Sequence, residues 1–249
     1  MFEDYASIFA RRGADYDTAM RGFPRARQEE FAAILHLAAP RPGETLIDLP
    51  AGGGYLRDYL DTAAIDLIAI EPAPAFHALC RTRVRECHLA PLTALPLPDQ
   101  HADLALSLAG LHHETERLMI FREVSRVLRP GGRFAIAEVA AGSAPARFLN
   151  EFVHRHNPNG HEGMFADDDF RAKLTQAGFA VVHDDVANYH WRFHSPPDMA
   201  EYLRLLFGMT LATPAQIVDG VAQYLGFDPP AEGDVRMNWS LRHLLCIKV

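Results

Sequence analysis

Short all-apolar runs alternate along the chain with longer stretches in which apolar residues recur every three or four positions. Residues 45–49 (TLIDL) form an apolar run of strand type that ends in Gly52, Gly53 and Gly54, and residues 55–60 then take up helical spacing. The theme returns at residues 67–71 (LIAIE), where Pro72 and Pro74 open a helix that reaches Val84. Residues 102–108 (ADLALSL) make a third buried run. In residues 114–128, Leu118, Phe121, Val124, Val127 and Leu128 share a helical face, and Arg129-Pro130-Gly131-Gly132 stops that helix before a strand at 134–139. Residues 179–188 and 240–249 read as two further strands, the last either an antiparallel edge or inserted beside its predecessor.

Strands alternating with helices of ten to fifteen residues demand right-handed crossovers, which predicts an α/β fold with a Rossmann-like, mainly parallel, seven-stranded sheet and helices on both faces. Residues 196–207 and 214–225, each begun by proline, are too long together for a hairpin and predict a helical cap inserted between the last two strands. The expected organisation is a single domain over 1–249. Within it, 1–44 form an N-terminal helical lid with 25–37 as its clear helix, 45–195 and 238–249 the core, and 196–237 the cap.

Composition narrows the function. Hydrophobic residues are 49% and charged residues 22% of the chain, as in ordinary globular proteins. With 24 basic and 32 acidic residues the net charge is −8, so no global positive field gathers phosphates and no nucleic-acid partner is expected. Lys173 and Lys248 are the only lysines, which leaves almost no candidate for Schiff-base chemistry. Cys80, Cys87 and Cys246 form no C-x-x-C and follow no secretory leader, which predicts reduced thiols in a cytoplasmic protein. The longest apolar run, 104–111, is broken by Ser107 and falls far short of the roughly 20 residues that span a bilayer, so no membrane partner is expected.

Open α/β sheets bind ligands outside the carboxyl ends of their strands, where a glycine turn lets the backbone approach the ligand. Residues 48–54 make such a turn, and Glu71, at the end of the next strand, suits the two hydroxyls of a ribose. A dinucleotide fingerprint counted from Gly52 and Gly54 would need a third glycine where Arg57 stands, which disfavours NAD.

At this point the chain resembles the class I S-adenosylmethionine-dependent methyltransferases, in particular their small-molecule, ubiquinone-biosynthesis-like branch. Four stretches carry the resemblance: LIDLPAGGGYL (46–56), IEP (70–72), ALPLPDQHADLALSLAGLHH (94–113) and REVSRVLRPGGRFAIAE (122–138). It implies S-adenosyl-L-methionine as cofactor, with Asp48, Pro50, Ala51, Gly52 and Gly54 around its methionine part, Glu71 and Pro72 on the ribose, and Ser107 and Ala109 on the floor. Tyr16 stands where the family often has a tyrosine near the cofactor's carboxylate. Pro50 replaces the first glycine of the family's loop, and Pro91 falls where an acidic residue commonly receives the adenine amino group, leaving that contact to backbone around Leu92.

Methyl transfer from a sulfonium is an in-line displacement that mainly needs alignment and exclusion of water, with a base where the acceptor must lose a proton. His112 and His113 end the fourth strand, and on an extended chain only one of them would face the acceptor. His161, in a loop that also holds His154, His156, Asn157, Asn159 and Glu162, is the third catalytic candidate. The histidine spacing matches no zinc template, so no metal is expected. Trp191, Phe193, Tyr202 and Phe207 are candidates for an aromatic pocket wall. The sequence thus points to methyl transfer to oxygen, nitrogen or carbon of a small organic acceptor. A non-catalytic or regulatory S-adenosylmethionine-binding protein of the same fold is the alternative, and a homodimer stays open.

Overall fold

The computed structural model describes residues 5–60, 64–231 and 234–249. Five strands form the parallel part of the sheet: β1 (Thr45–Asp48), β2 (Asp66–Glu71), β3 (Glu86–Leu89), β4 (Ala102–Leu108) and β5 (Leu128–Glu138). Two long strands, β6 (Phe179–Phe193) and β8 (Asp234–Lys248), complete the order β3-β2-β1-β4-β5-β8-β6, and β7 (Phe227–Ala231) pairs with β8 off that path. The last strand therefore inserts between β5 and β6, antiparallel to both.

The apolar runs explain the layering. Neighbours on a strand face opposite ways, so Leu46 and Leu104 enter one core while Ile47 and Ala105 enter the other. The second core closes under α4 (Arg117–Val127) and α7 (Asp168–Gln176), through edge-on contacts of Phe121 with Phe134 and Phe170. Over the first core lie α2 (Gln28–Ala38), α8 (Pro196–Phe207) and α9 (Pro214–Tyr224). Proline starts α8 and α9 where an N–H would lack a partner anyway, and Ser195 and Thr213 cap them, Thr213 in a reciprocal capping box with Gln216. α1 (Tyr5–Gly22) packs on α8 and on α3 (Pro74–Cys80). Among the described residues, no helix is long and apolar enough to cross a membrane.

Three expectations need correction. The stretch 196–237 is not wholly helical: after α9 the chain returns as β7, and β8 begins at Asp234 rather than near 238. Buried Val235, Met237, Trp239 and Leu241 alternate with more exposed neighbours, a period of two that extends β8 along the end of β6. Arg129-Pro130-Gly131-Gly132 does not separate helix from strand but lies inside β5 as an irregularity, since pairing with β4 jumps from Leu128 to Arg133. The helix opened by Pro74 ends at Cys80, short of Val84.

His243 sits mid-β8, buried, with its Nε2 unpaired and its ring 6.2 Å from that of Tyr189. Burial, aided by His183, pulls its pKa down to about 4. The folded protein thus refuses a proton that the unfolded chain accepts near pH 6.5, so stability falls as pH drops from about 6.5 to about 4. In a series of urea titrations, His243→Leu is expected to remove up to about 3 kcal/mol of that acid loss.

Candidate active site

The carboxyl ends of β1, β4 and β5, together with α1 and the end of α8, line a cavity that opens to solvent. Its floor is the turn after β1. Ala51 N–H donates to Ile70 O (2.9 Å), Gly52 N–H to Glu71 Oε2 (2.7 Å) and Gly54 N–H to Ala51 O (3.0 Å). Gly54 has φ +80°, and a Cβ there would lie 3.1 to 3.3 Å from Val84 Cγ2 and from Cys80 Sγ and Cα, so only glycine lets the turn rest on α3. Pro50, joined to Leu49 by a cis peptide, is matched by Gly110, where a Cβ would lie 2.4 Å from the proline Cγ. The proline that departs from the glycine pattern is thus seated by a glycine on the facing loop.

Two carboxyl groups lie at this floor. Asp48 is buried, and its carboxylate has no hydrogen-bond partner among the described residues. Burial, with a contribution from Cys87, pushes its pKa up to about 8. Glu71 is fully buried and also rises to about 8 through burial, although Ala73 N–H, Gly52 N–H and the Tyr5 hydroxyl (3.3 Å) all donate to it. Nearby, Tyr5, Phe9, Tyr16 and Phe76 pack on one another in tilted and edge-on pairs and carry α1 across the opening.

The far end of the cavity is built from histidines. Leu111–His113 form a single 3-10 turn, not extended chain, so His112 and His113 both face the cavity with ring centroids 4.2 Å apart. His161 joins them, 5.8 Å from His112 and 5.1 Å from His113. One nitrogen from each of the three lies within 4.8 Å of the other two. The fold therefore brings together what spacing along the chain kept apart. His112 Nδ1 is 2.8 Å from Glu138 Oε1 at the end of β5, and Glu138 also accepts from Leu111 N–H and Val139 N–H (2.8 Å each). Burial alone would raise the Glu138 pKa; His112, the Val139 N–H and Arg117 outweigh it and hold the carboxyl below its usual range. Burial, with His112 and Arg12 close by, keeps His113 and His161 well below the ordinary histidine pKa, hence neutral near pH 7.

Of the residues singled out in the sequence, Tyr16, Asp48, Pro50, Ala51, Gly52, Ala109, His112, His113 and His161 line the cavity, as do Trp191 and Phe207. Gly54, Glu71, Pro72, Leu92 and Ser107 do not. Glu71 lies beneath Tyr5, and Leu92 is part of the second core. Ser107 points away from the cavity because Leu106 and Leu108 take the facing positions of β4. Phe193 and Tyr202 pack in the first core behind Trp191. Sequence reasoning missed Tyr5, Phe9, Arg12 and Trp239 on the walls, the buried acceptor Glu138 and the exposed acceptor Asn150. The acid closing the strand FAIAE was the one available signal for Glu138.

Residues 47–136 match the family model described as a methyltransferase domain. Over 185 residues it is 29% identical to the arsenite methyltransferase of Halobacterium salinarum, covering 67% of this chain and 46% of that protein. It is 27% identical over 153 residues to the ubiquinone/menaquinone biosynthesis C-methyltransferase UbiE of Rubrivivax gelatinosus, covering 60% and 59%. The chain thus spans about half the length of these curated relatives. The crystal structure of the YcgJ protein from Bacillus subtilis aligns with 88% of this chain and 98% of that one at a TM-score of 0.65 and 16% identity, a likeness of fold.

Proposed function

We propose that this methyltransferase moves the methyl group of S-adenosyl-L-methionine to a small, partly apolar organic acceptor, at oxygen, nitrogen or carbon. The observation that carries this reading is the uncompensated Asp48 carboxyl at the glycine turn. An unpaired buried acid raised to about 8 favours a cationic occupant, because a nearby positive charge restores its ionised form. The cofactor is such an occupant, with an ammonium and a sulfonium. Its ribose would take the place of the Tyr5 hydroxyl on Glu71, so the Tyr5 end of α1 shifts on binding. Tyr16, Pro50, Ala51, Gly52 and Ala109 line the same chamber, and Gly54 lets the turn beneath it rest on α3.

The acceptor end is walled by Trp191, Phe207 and Trp239 and faced by the three histidines. Arg12 Nε and Trp239 Nε1 are buried there without partners, which suits an acceptor with an oxygen beside its apolar part. The relatives named for arsenite and for quinone biosynthesis support a small acceptor. The unpaired Cys80, Cys87 and Cys246 suit a reducing, cytoplasmic setting.

Calorimetry against S-adenosylmethionine, S-adenosylhomocysteine and NAD tests the cofactor. One site for each sulfur ligand and none for NAD is expected, and no binding of either sulfur ligand overturns the reading. Binding without transfer of labelled methyl to any acceptor from a panel of phenols, amines and enols would favour the regulatory alternative.

A further inference from the structure

We propose that His112, His113 and His161 form a binding site for a divalent transition-metal ion of the Zn²⁺ type, open toward the acceptor end of the cavity. Three imidazoles are the ligand set of open zinc sites, which leave a position for water or substrate. Two features set this triad apart from histidines that merely pack together.

The first is that the ring orientations are imposed from behind. Glu138 already accepts a backbone N–H bond on each oxygen, from Leu111 on Oε2 and from Val139 on Oε1, so His112 Nδ1 is the donor to it, which leaves the Nε2 lone pair free. Asn150 is clamped in the same sense: its Nδ2 donates to Gly163 O (3.0 Å) and its Oδ1 accepts from Gly163 N–H (2.8 Å). That fixes Oδ1 toward His161 Nδ1 (3.0 Å), so His161 also donates through Nδ1 and keeps Nε2 as a lone pair. Ligating histidines are held in this manner, by a carboxylate or a carbonyl on the nitrogen that does not bind the metal.

The second is that His113, 4% exposed, has a buried Nδ1 with no partner among the described residues. A buried imidazole nitrogen without a hydrogen bond costs free energy, and an ion shared with His112 and His161 relieves that cost. One nitrogen of each ring lies within 4.8 Å of one nitrogen of each of the other two. An ion with bonds of about 2.0 to 2.1 Å draws them to roughly 3.3 Å in a tetrahedral set. The open position faces the chamber in which the acceptor is placed above. A metal-bound acceptor atom releases its proton to water more readily, so the ion would lower the acceptor's pKa and lessen the need for a separate base at neutral pH. This last step rests on the transfer reading; the metal site itself does not.

The test is a titration of chelator-treated protein with Co²⁺, read by visible absorption and by competition with Zn²⁺. One equivalent is expected, with a d–d spectrum of low coordination number that Zn²⁺ abolishes. His112→Ala, His113→Ala and His161→Ala are each expected to weaken binding by about 100-fold or more, and Asn150→Ala by about 10- to 100-fold. Retained binding of S-adenosylhomocysteine shows that a variant is folded. No saturable Co²⁺ site in the unmodified protein, or a site that survives replacement of any two of the histidines, overturns the proposal. Protein that binds the cofactor but not cobalt removes the metal site alone; protein that binds cobalt but not the cofactor removes the transfer reading alone.

Discussion

Replacing Asp48 by asparagine is expected to make the cofactor-free protein more stable and its cofactor binding weaker. The folded pKa of about 8 lies above the unfolded value near 3.9, so the folded chain keeps a proton that the unfolded chain has released. Stability present below pH 4 is therefore lost as pH rises to about 8, and at pH 7 the loss is about 4 kcal/mol. Glu71, also raised to about 8, contributes in the same direction over the same window. An asparagine side chain has no proton to release, so D48N is expected to flatten this part of the pH profile, measured by urea midpoints between pH 4 and 8. The same change removes the negative charge that a cationic ligand would meet, which at about 1.5 to 3 kcal/mol corresponds to roughly 10- to 150-fold in affinity. A second readout follows from linkage: a cation that ionises Asp48 expels its proton, so binding of S-adenosylmethionine near pH 7 releases protons in the unmodified protein and fewer in D48N. Calorimetry in buffers of different ionisation enthalpy measures that difference. If D48N is less stable than the parent at pH 7, Asp48 is a paired structural acid and the cationic pocket is wrong.

What the sequence made legible follows from how local each signal is. TLIDL, LIAIE and ADLALSL are apolar on both faces because parallel strands are covered on both sides, and all three became strands next to one another. β3 is four residues, ECHL, too short and too polar for any period to show. The alternation of Val235, Met237, Trp239 and Leu241 is present in the chain, yet it starts within the stretch that proline-led helices mark as a cap, so the strand reads as beginning too late. The site was legible where one short segment makes it, as at Asp48 to Gly54. It was illegible where distant segments meet. Trp239 reaches the cavity from the last strand and Tyr5 from the first described helix, and nothing in their own neighbourhoods says so. The histidines show both limits. An extended reading of Leu111-His112-His113 sends one ring away, whereas a single 3-10 turn turns both inward, and His161 joins them from 48 positions along the chain.

Glu138→Gln is expected to lower turnover by about 100-fold or more while leaving cofactor affinity within a few-fold. Glu138 touches neither ligand in the proposed arrangement; it is a positioning residue that acts through His112. Its carboxylate takes three donors at 2.8 Å, from Leu111 N–H, Val139 N–H and the imidazole. A glutamine presents one oxygen and one amide nitrogen in the same space, so one of those donors must face an N–H₂ group. If that donor is the imidazole, the ring is driven to the other tautomer or rotated away, and Nε2 no longer offers its lone pair to the cavity. The loss should therefore appear in kcat, with KM for the acceptor changed little, since the aromatic walls that hold its apolar part are untouched. Combining Glu138→Gln with His112→Ala should fall little below the worse single variant, because the two residues act as one unit. A purely structural role for Glu138 predicts a different pattern: lower thermal stability, an additive double variant, and cofactor and acceptor binding lost together. Unchanged turnover in Glu138→Gln at full occupancy of both ligands would show that the orientation of His112 is irrelevant to the reaction. The catalytic part would then lie with the walls of the cavity and the alignment they impose.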